Sequence, residues 1–233
     1  MTLPRITIAC PVRNRAWILP RYLDALDALE YPKDRLQFHF VVNDCTDNSL
    51  ELLMRWMDGR RGHVDIIDIG ARPSDTRGAL RTGERIAIYP LLAKLRNHIL
   101  DTAMEDGAHY LFSVDSDILV DPDTLLRLLS AGRDVAAGIV KNGPGHCYNF
   151  LQFSPETDQY VRTNTAPSSG IFEVGLTGAC CLYARAAMHA SRFAPYGAGG
   201  EDEGMARGLR SAGITQWVDG GAHCEHIMDG PGA

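Results

Sequence analysis

The sequence lacks the features of a membrane, secreted or nucleic-acid-binding protein. No apolar run reaches the roughly 18 residues that span a bilayer, and the start, MTLPRITIAC, does not join a basic segment to an apolar one. Lysine is scarce, with three residues, and the net charge of −6 argues against a surface that follows nucleic-acid phosphates. We therefore expect a cytoplasmic protein without a transmembrane segment and without a nucleic-acid partner.

Cysteine patterns that would indicate disulfides or a thiolate metal site are also missing. None of the six cysteines forms a Cys-x-x-Cys pair, so we expect buried thiols that behave as small apolar side chains. His223, Cys224 and His226 near the end of the chain would need a fourth ligand to hold zinc, and the adjacent Cys180-Cys181 supplies one poorly. Structural zinc at this tail is therefore disfavoured.

The composition that remains is that of an ordinary globular protein. The 233 residues are 45% apolar and 22% charged, and a domain of this length buries roughly 70–75% of its unfolded surface without a metal or disulfide. We therefore expect any bound metal to serve chemistry. The 20 arginines that accompany so few lysines hint at a GC-rich bacterial genome.

Strand and helix patterns alternate over residues 1–140. Strands are predicted at Ile6–Cys10, Gln37–Val42, Val64–Ile69, His109–Val114 and Val135–Val140. Helices are predicted from Pro20 to Leu29, from Leu50 to Met57, from Pro90 to Ile99 and from Pro122 to Ser130. Residues 70–89, with three glycines and four arginines, read as a mobile loop. This alternation predicts an α/β fold with a mostly parallel sheet flanked by helices.

The pattern is less regular over residues 141–233. Short strands are predicted at Cys147–Phe153, Gln159–Arg162, Ile171–Val174 and Thr215–Val218, with helices at Leu182–Ser191 and from Glu201 to Gly213. We expect this part to complete the same single domain as a smaller mixed region.

In the segment Ser113-Val114-Asp115-Ser116-Asp117, two acids follow the end of the predicted strand. On an extended segment, Asp115 and Asp117 share one face, where their charges repel unless a cation or a bound hydroxyl lies between them. Ligands of parallel sheets bind at the carboxyl ends of the strands. The loops 11–15, 43–48 and 115–117 should therefore meet in one crevice.

Three consecutive acids, Glu201, Asp202 and Glu203, follow Gly199-Gly200 at a predicted helix start. Acids favour helix N-termini, which is a sufficient structural explanation by itself. The functional interpretation is that the glycines let the backbone approach a substrate while one carboxylate faces the crevice as a general base.

The order of six motifs resembles the nucleotide-sugar-dependent glycosyltransferases of the GT-A fold, closest to the family-two type and its relatives. The motifs are PVRNR, NDCTDNS, KLRNHILDTA, SVDSD, GEDE and CEH. The resemblance implies a Rossmann-like sheet, a nucleoside-diphosphate sugar as donor, and Mn²⁺ or Mg²⁺ on its diphosphate. Asp117 would bind the metal and His226 would complete its shell. Asp115 would touch the ribose or sugar of the donor and is a third candidate ligand of the metal. One imidazole among oxygen ligands favours Mn²⁺.

The same resemblance assigns the remaining site residues. Asp202 would deprotonate the acceptor hydroxyl in an inverting transfer, with Glu201 as its neighbour and substitute. Pro11, Arg13 and Arg96 would line the nucleotide pocket.

The loop 43–48, after the second predicted strand, departs from the family pattern. Family members place two consecutive acids before the Ser-Thr-Asp element of this loop. Here the corresponding pair is Val42-Asn43 or, shifted by one residue, Asn43-Asp44. An amide both donates and accepts hydrogen bonds, so UDP is the preferred nucleotide while GDP and dTDP stay open.

Three other functions fit part of the sequence. A sugar nucleotidyltransferase would carry a Gly-rich, Lys-bearing loop after the first strand, whereas PVRNR has neither residue. A non-catalytic nucleotide-sugar-binding module would not need Asp202. A metal hydrolase is weaker still, since no His-Glu-x-x-His motif is present. The acceptor is open among small molecules, glycans, peptides and lipid-linked acceptors.

Overall fold

A computed structural model of the chain describes residues 3–68, 82–142, 147–163, 165–197 and 199–228. The strands within these ranges are β1 (Ile6–Val12), β2 (Leu36–Val42), β3 (Gly62–Ile66), β4 (Tyr110–Val114), β5 (Ile118–Val120), β6 (Val135–Val140), β7 (Phe150–Ser154), β8 (Gln159–Arg162), β9 (Ile171–Val174), β10 (Leu176–Thr177), β11 (Cys180–Ala184) and β12 (Gln216–His226). The helices there are α1 (Leu19–Asp27), α2 (Ser49–Met57), α3 (Thr82–Glu105), α4 (Thr124–Ser130), α5 (Arg185–Ala190) and α6 (Glu201–Ser211).

Nine strands of the described ranges form the central sheet. Its order is β3-β2-β1-β4-β11-β6-β12-β5, and β9 pairs with β12 outside this path. The first four strands are parallel, whereas β11 runs antiparallel between β4 and β6. A smaller antiparallel sheet holds β10, β7 and β8. The predicted α/β fold, a mostly parallel sheet with a smaller mixed region, is confirmed.

Both faces of the sheet are covered, which explains the continuous apolar runs of its central strands. Ile8 of β1 and Phe112 of β4 point into one core, while their neighbours Ala9 and Leu111 point into the other. Helices α1, α2 and α4 add Leu23, Leu53 and Leu125 to the first core, and α3, α5 and α6 add Leu95, Met188 and Met205 to the second. The sheet is thereby held between two layers of helices.

Two predicted elements were wrong. The helix that was expected to begin at Pro90 already starts at Thr82, so Pro90 lies inside α3 and residues 82–89 are not a loop. Residues 69–81, the rest of that expected loop, lie outside the described ranges. The helix predicted over Leu182–Ser191 is divided, because β11 occupies Cys180–Ala184 and α5 follows it. Pairing with β4 and β6 on both sides overrides the local pattern there.

Strand β12 and the six cysteines can also be compared with the predictions. Strand β12 is longer than predicted, since it continues from Gln216 through the His-Cys-Glu-His tail. All cysteines are free; four are buried, as expected, and Cys45 and Cys147 are partly buried. None of the helices in the described ranges combines the length and apolarity that a membrane crossing requires.

Candidate active site

The loops that follow β1, β2 and β4 meet α3 around one cavity of about 140 Å³. Its lining includes four residues predicted from the sequence, namely Pro11, Arg13, Asn43 and Asp44. The rest of the lining is Arg15, Ile88, Leu91, Leu92, Leu95 and Ser116. The apolar side chains of α3 therefore form one wall of the cavity. The strand-end loops form its floor and contribute two guanidinium groups, an amide and a carboxyl group.

Side-chain hydrogen bonds tie the loop after β1 to the loop after β2. Asn14 Oδ1 accepts from the Thr46 N–H at 2.8 Å, and Asp47 Oδ2 accepts from the Ala16 N–H at 3.0 Å. Asn14 and Asp44 adopt positive φ angles of 48° and 46°, a conformation that Asn and Asp tolerate better than most residues. The polar NDCTDNS stretch thus fixes the shape of the cavity floor.

Arg96 joins the strand-end acids to the start of α6. Its Nη2 donates to Asp115 Oδ1 at 2.8 Å, its Nε donates to Glu201 Oε1 at 3.1 Å, and its Nη1 donates to Ser113 Oγ at 3.4 Å. Burial alone would lower the pKa of Arg96, but Asp115, Asp202 and Glu201 together raise it well above its usual value. Arg96 is therefore a fixed cation that holds the two elements in place.

Asp117 and His226 face each other at the end of β4 and the end of β12. Asp117 Oδ2 lies 3.9 Å from His226 Nε2, and the same oxygen accepts from Arg15 Nη2 at 3.2 Å. His226 Nδ1 lies 2.9 Å from Asn142 Oδ1, and an amide oxygen accepts, so this contact suits the tautomer with its proton on Nδ1, whose Nε2 can bind a metal. Burial, aided by Asp115, raises the pKa of Asp117 despite Arg15 and His226.

This pair fits a divalent cation. Ligand distances of about 2.1 Å to each atom are compatible with the 3.9 Å separation. Both strand-end acids already accept a hydrogen bond from an arginine, Asp115 Oδ1 from Arg96 and Asp117 Oδ2 from Arg15, so a role for Asp115 as a third ligand stays a prediction. In the described part of the chain, the one group of three or more potential ligand atoms within 4.8 Å of one another lies elsewhere, at His39, Asp65 and His98.

Asp202 lies at the start of α6, partly buried beside Arg96. Burial raises its pKa to about 7, with Glu201 and Asp115 adding to the rise and Arg96 opposing it. The backbone of Gly178 passes directly under the carboxylate, since a β-carbon there would lie 2.6 Å from Asp202 Oδ2. A carboxyl group with this pKa can both take up and release a proton near neutral pH.

The three acids of α6 are separated by their partners. Glu201 is buried against Arg96, and Glu203 pairs with Arg207 one turn later at 3.0 Å. Only Asp202 of the three lies over Gly178. This arrangement suits Glu201 to hold Arg96 in position rather than to accept a proton.

Sequence reasoning missed two residues of the site. Arg15 contacts Asp117 across 102 positions, and Asn142 contacts His226 across 84 positions. The motif PVRNR contained Arg15, but only the first of its arginines was assigned. No local signal marks Asn142.

The chain has sequence relatives among glycosyltransferases. The family described as glycosyltransferase family 25, N-terminal domain, matches residues 3–193. Procollagen galactosyltransferase 1 of Danio rerio is 31% identical over 167 residues, which are 69% of this chain and 27% of that protein. Inactive glycosyltransferase 25 family member 3 of Homo sapiens is 27% identical over 208 residues, which are 83% of this chain and 34% of that protein.

Solved structures share the fold. TarS of S. aureus in complex with UDP-GlcNAc has a TM-score of 0.58 at 14% identity, over 92% of this chain and 55% of that one. Mannosyltransferase PcManGT of Pyrobaculum calidifontis in complex with GDP-Man and Mn²⁺ has a TM-score of 0.58 at 16% identity, over 98% of this chain and 58% of that one. The GT-A resemblance is thereby confirmed.

The lengths and sources of the relatives limit what can be concluded about this chain from the similarities. The chain spans about a third or less of their lengths. They come from animals, so the bacterial origin stays a prediction, as does the cytoplasmic location. The match over residues 3–193 nevertheless covers most of the chain, and the protein belongs to glycosyltransferase family 25.

Proposed function

We propose that the chain transfers a sugar from a nucleoside-diphosphate sugar, with UDP as the preferred nucleotide, to an acceptor hydroxyl in a metal-dependent, inverting reaction. The observation that carries the proposal is the pair formed by Asp117 Oδ2 and His226 Nε2, 3.9 Å apart beside a cavity built from strand-end loops. The UDP-GlcNAc of TarS and the GDP-Man and Mn²⁺ of PcManGT, both GT-A neighbours, support this class of donor.

Asp117 and His226 are the residues that would hold the metal, with Mn²⁺ favoured over Mg²⁺ by the imidazole. When bound, such an ion stabilises the negative charge that develops on the leaving diphosphate. Arg13 and Arg15 line the same cavity and are suited to donate to phosphate oxygens. Asp115, oriented by Arg96, is suited to accept a hydrogen bond from a donor hydroxyl.

Asp202 is the general base of this proposal. With a pKa of about 7 it is about half ionised at neutral pH, so it can accept the proton of an acceptor hydroxyl during attack on the anomeric carbon. Arg96 keeps the carboxylate partly ionised, because its charge opposes the rise that burial causes. Glu201 acts through Arg96 as a positioning residue.

The two parts of the chain divide this work. Residues 1–140 supply the cavity for the nucleotide sugar, and residues 141–233 supply the acceptor side, the base and the imidazole that completes the metal site. Both parts contribute to one sheet, since β11 lies between β4 and β6. The name of the Danio rerio relative makes UDP-galactose the first donor to test and a hydroxyl-bearing peptide the first acceptor.

A non-catalytic nucleotide-sugar-binding module is the alternative. It is favoured by relatives named inactive, which match 83–84% of this chain at 26–27% identity. Binding of the donor is common to both functions, so only transfer to an acceptor separates them.

The test is a screen of UDP, GDP and dTDP for Mn²⁺-dependent thermal stabilisation, followed by a transfer assay with the corresponding nucleotide sugars. We expect stabilisation by UDP that requires the metal, and product with a peptide or glycan acceptor. Stabilisation without transfer to any acceptor class would favour the binding module. No stabilisation by any of the three nucleotides would overturn the proposal.

A further inference from the structure

A second cluster of histidine and carboxylate side chains lies at the edge of the sheet, outside the site described above. His39 is on β2, His63 and Asp65 are on β3, and His98 is on α3. The parallel register pairs His39 with His63, and Asp65 stands two residues further along the same face of β3. Helix α3 brings His98 over this face, so three elements contribute to one cluster.

The ligand atoms of this cluster converge on one carboxylate oxygen. Asp65 Oδ2 lies 3.0 Å from His39 Nε2 and 2.5 Å from His98 Nε2, while His63 Nε2 is 4.0 Å away. The atoms of His39, Asp65 and His98 all lie within 4.8 Å of one another. Ligands of a tetrahedral zinc ion are about 3.3 Å apart when each is about 2.0–2.1 Å from the metal, so small side-chain rotations suffice to bind one ion.

The protonation states of the cluster suit metal binding. Burial and the neighbouring His63 lower the pKa of His39 to about 4, which keeps its imidazole neutral. Hydrogen bonds from His98 and His39 lower the pKa of Asp65 despite the opposing effect of burial. A neutral imidazole and an ionised carboxylate are the forms that coordinate a metal.

An ordinary hydrogen-bonded cluster explains the arrangement less well. A single oxygen, Asp65 Oδ2, lies within hydrogen-bond distance of two imidazole nitrogens, and a third imidazole nitrogen lies 4.0 Å away. His39 is fully buried, and its Nδ1 has no hydrogen-bond partner among the residues that the structure describes. The cluster thus holds more imidazole groups than a single ion pair uses.

We propose that His39, Asp65 and His98 supply three ligands of a zinc ion distinct from the metal of the donor site, and that His63, whose Nε2 lies 4.0 Å from Asp65 Oδ2, supplies the fourth. Two imidazoles and one carboxylate are ligands that zinc accepts, and an all-oxygen shell that would favour Mg²⁺ is not present in this cluster. The ion would join β2, β3 and α3. Because α3 also provides the apolar wall of the donor cavity at Leu91, Leu92 and Leu95, the metal would fix that wall against the sheet.

The experiment is calorimetric titration of EDTA-treated protein with ZnCl₂, in the wild type and in the variants His98→Ala and Asp65→Asn. Both side chains are partly exposed, with 39% and 34% of their surface accessible, so these variants should fold. We expect one tight site in the wild type, weakened at least tenfold in each variant. A hundredfold excess of zinc over the dissociation constant should raise the melting temperature of the wild type by roughly 5–10 °C.

Two control variants make the result specific. His189→Ala removes an exposed histidine on α5 and should leave zinc affinity unchanged. Asp117→Asn alters the donor site and should also leave it unchanged, because the two sites lie on different elements. Equal zinc affinity in the wild type, His98→Ala and Asp65→Asn, or loss of binding in Asp117→Asn, would overturn the proposal. Absence of zinc binding by the wild type would do the same.

Discussion

Replacing Asp202 by Asn should stabilise the protein while removing transfer. The pKa of Asp202 is raised from 3.8 to about 7, so the folded protein holds this proton more tightly than the unfolded chain does. Stability therefore falls as the pH rises from about 4 to about 7, and the full penalty is present above that range. Three pKa units correspond to about 4 kcal/mol, and partial exposure of the side chain reduces the expected gain to about 2–4 kcal/mol.

The measurement is thermal or urea unfolding of the wild type and Asp202→Asn at pH 8 and pH 5. At pH 8 we expect the variant to melt roughly 5–10 °C higher. At pH 5 the gain should fall to about a third, because the wild-type carboxyl is then largely protonated in the folded state. Transfer should fall by roughly 10²–10⁴-fold with little change in donor affinity, as for loss of a general base.

Glu201→Gln is the matched control, since it changes charge by the same amount at the adjacent position. Glu201 is paired with buried Arg96, so its replacement should destabilise the protein, by about 3–5 kcal/mol, as expected when a buried ion pair loses one partner. The two variants should change the free energy of unfolding in opposite directions, and this difference tests whether Asp202 is the base and Glu201 the positioning residue. Destabilisation by Asp202→Asn would refute the burial argument, and near-normal turnover would remove Asp202 as the base and favour a retaining mechanism.

Four further variants test the metal pair and the base. Asp117→Ala should abolish Mn²⁺-dependent UDP binding in calorimetry, and an unchanged affinity would count against its role as a ligand. His226→Ala should weaken metal binding more than His223→Ala, since only His226 faces Asp117; the reverse order would reassign the ligand. Gly178→Ala places a methyl group 2.6 Å from the present position of Asp202 Oδ2, so it should lower kcat while leaving the donor KM unchanged, and a normal kcat would show that the carboxylate can move without loss.

Three strands were predictable from the sequence with their ends, since the boundaries of β6, β8 and β9 coincide with the expected ones. Only β6 is buried along its whole length, and its apolar run Val135–Val140 is bounded by polar residues on both sides. Strand β11 was missed, since Cys-Cys-Leu-Tyr-Ala is as compatible with a helix as with a strand. Its conformation is decided by pairing with β4 and β6, which no local pattern reveals.

The position of the site followed from a rule about sheets, whereas its contacts did not. Carboxyl ends of parallel strands meet at one edge, so the sequence alone suffices to place Pro11, Asn43 and Asp44 together. The bond between Arg96 and Glu201 spans 105 positions and depends on how α3 and α6 pack. The histidine cluster could not be predicted either, because it depends on the register of β2 and β3, which pairs His39 with His63 and puts Asp65 two residues further along the same face.

The donor-site metal can be observed directly by anomalous diffraction from crystals soaked with MnCl₂ and UDP. We expect one manganese peak within coordination distance of Asp117 Oδ2 and His226 Nε2, in contact with the diphosphate. A diphosphate bound in the cavity with no peak between these two residues would contradict metal-dependent donor binding by this chain.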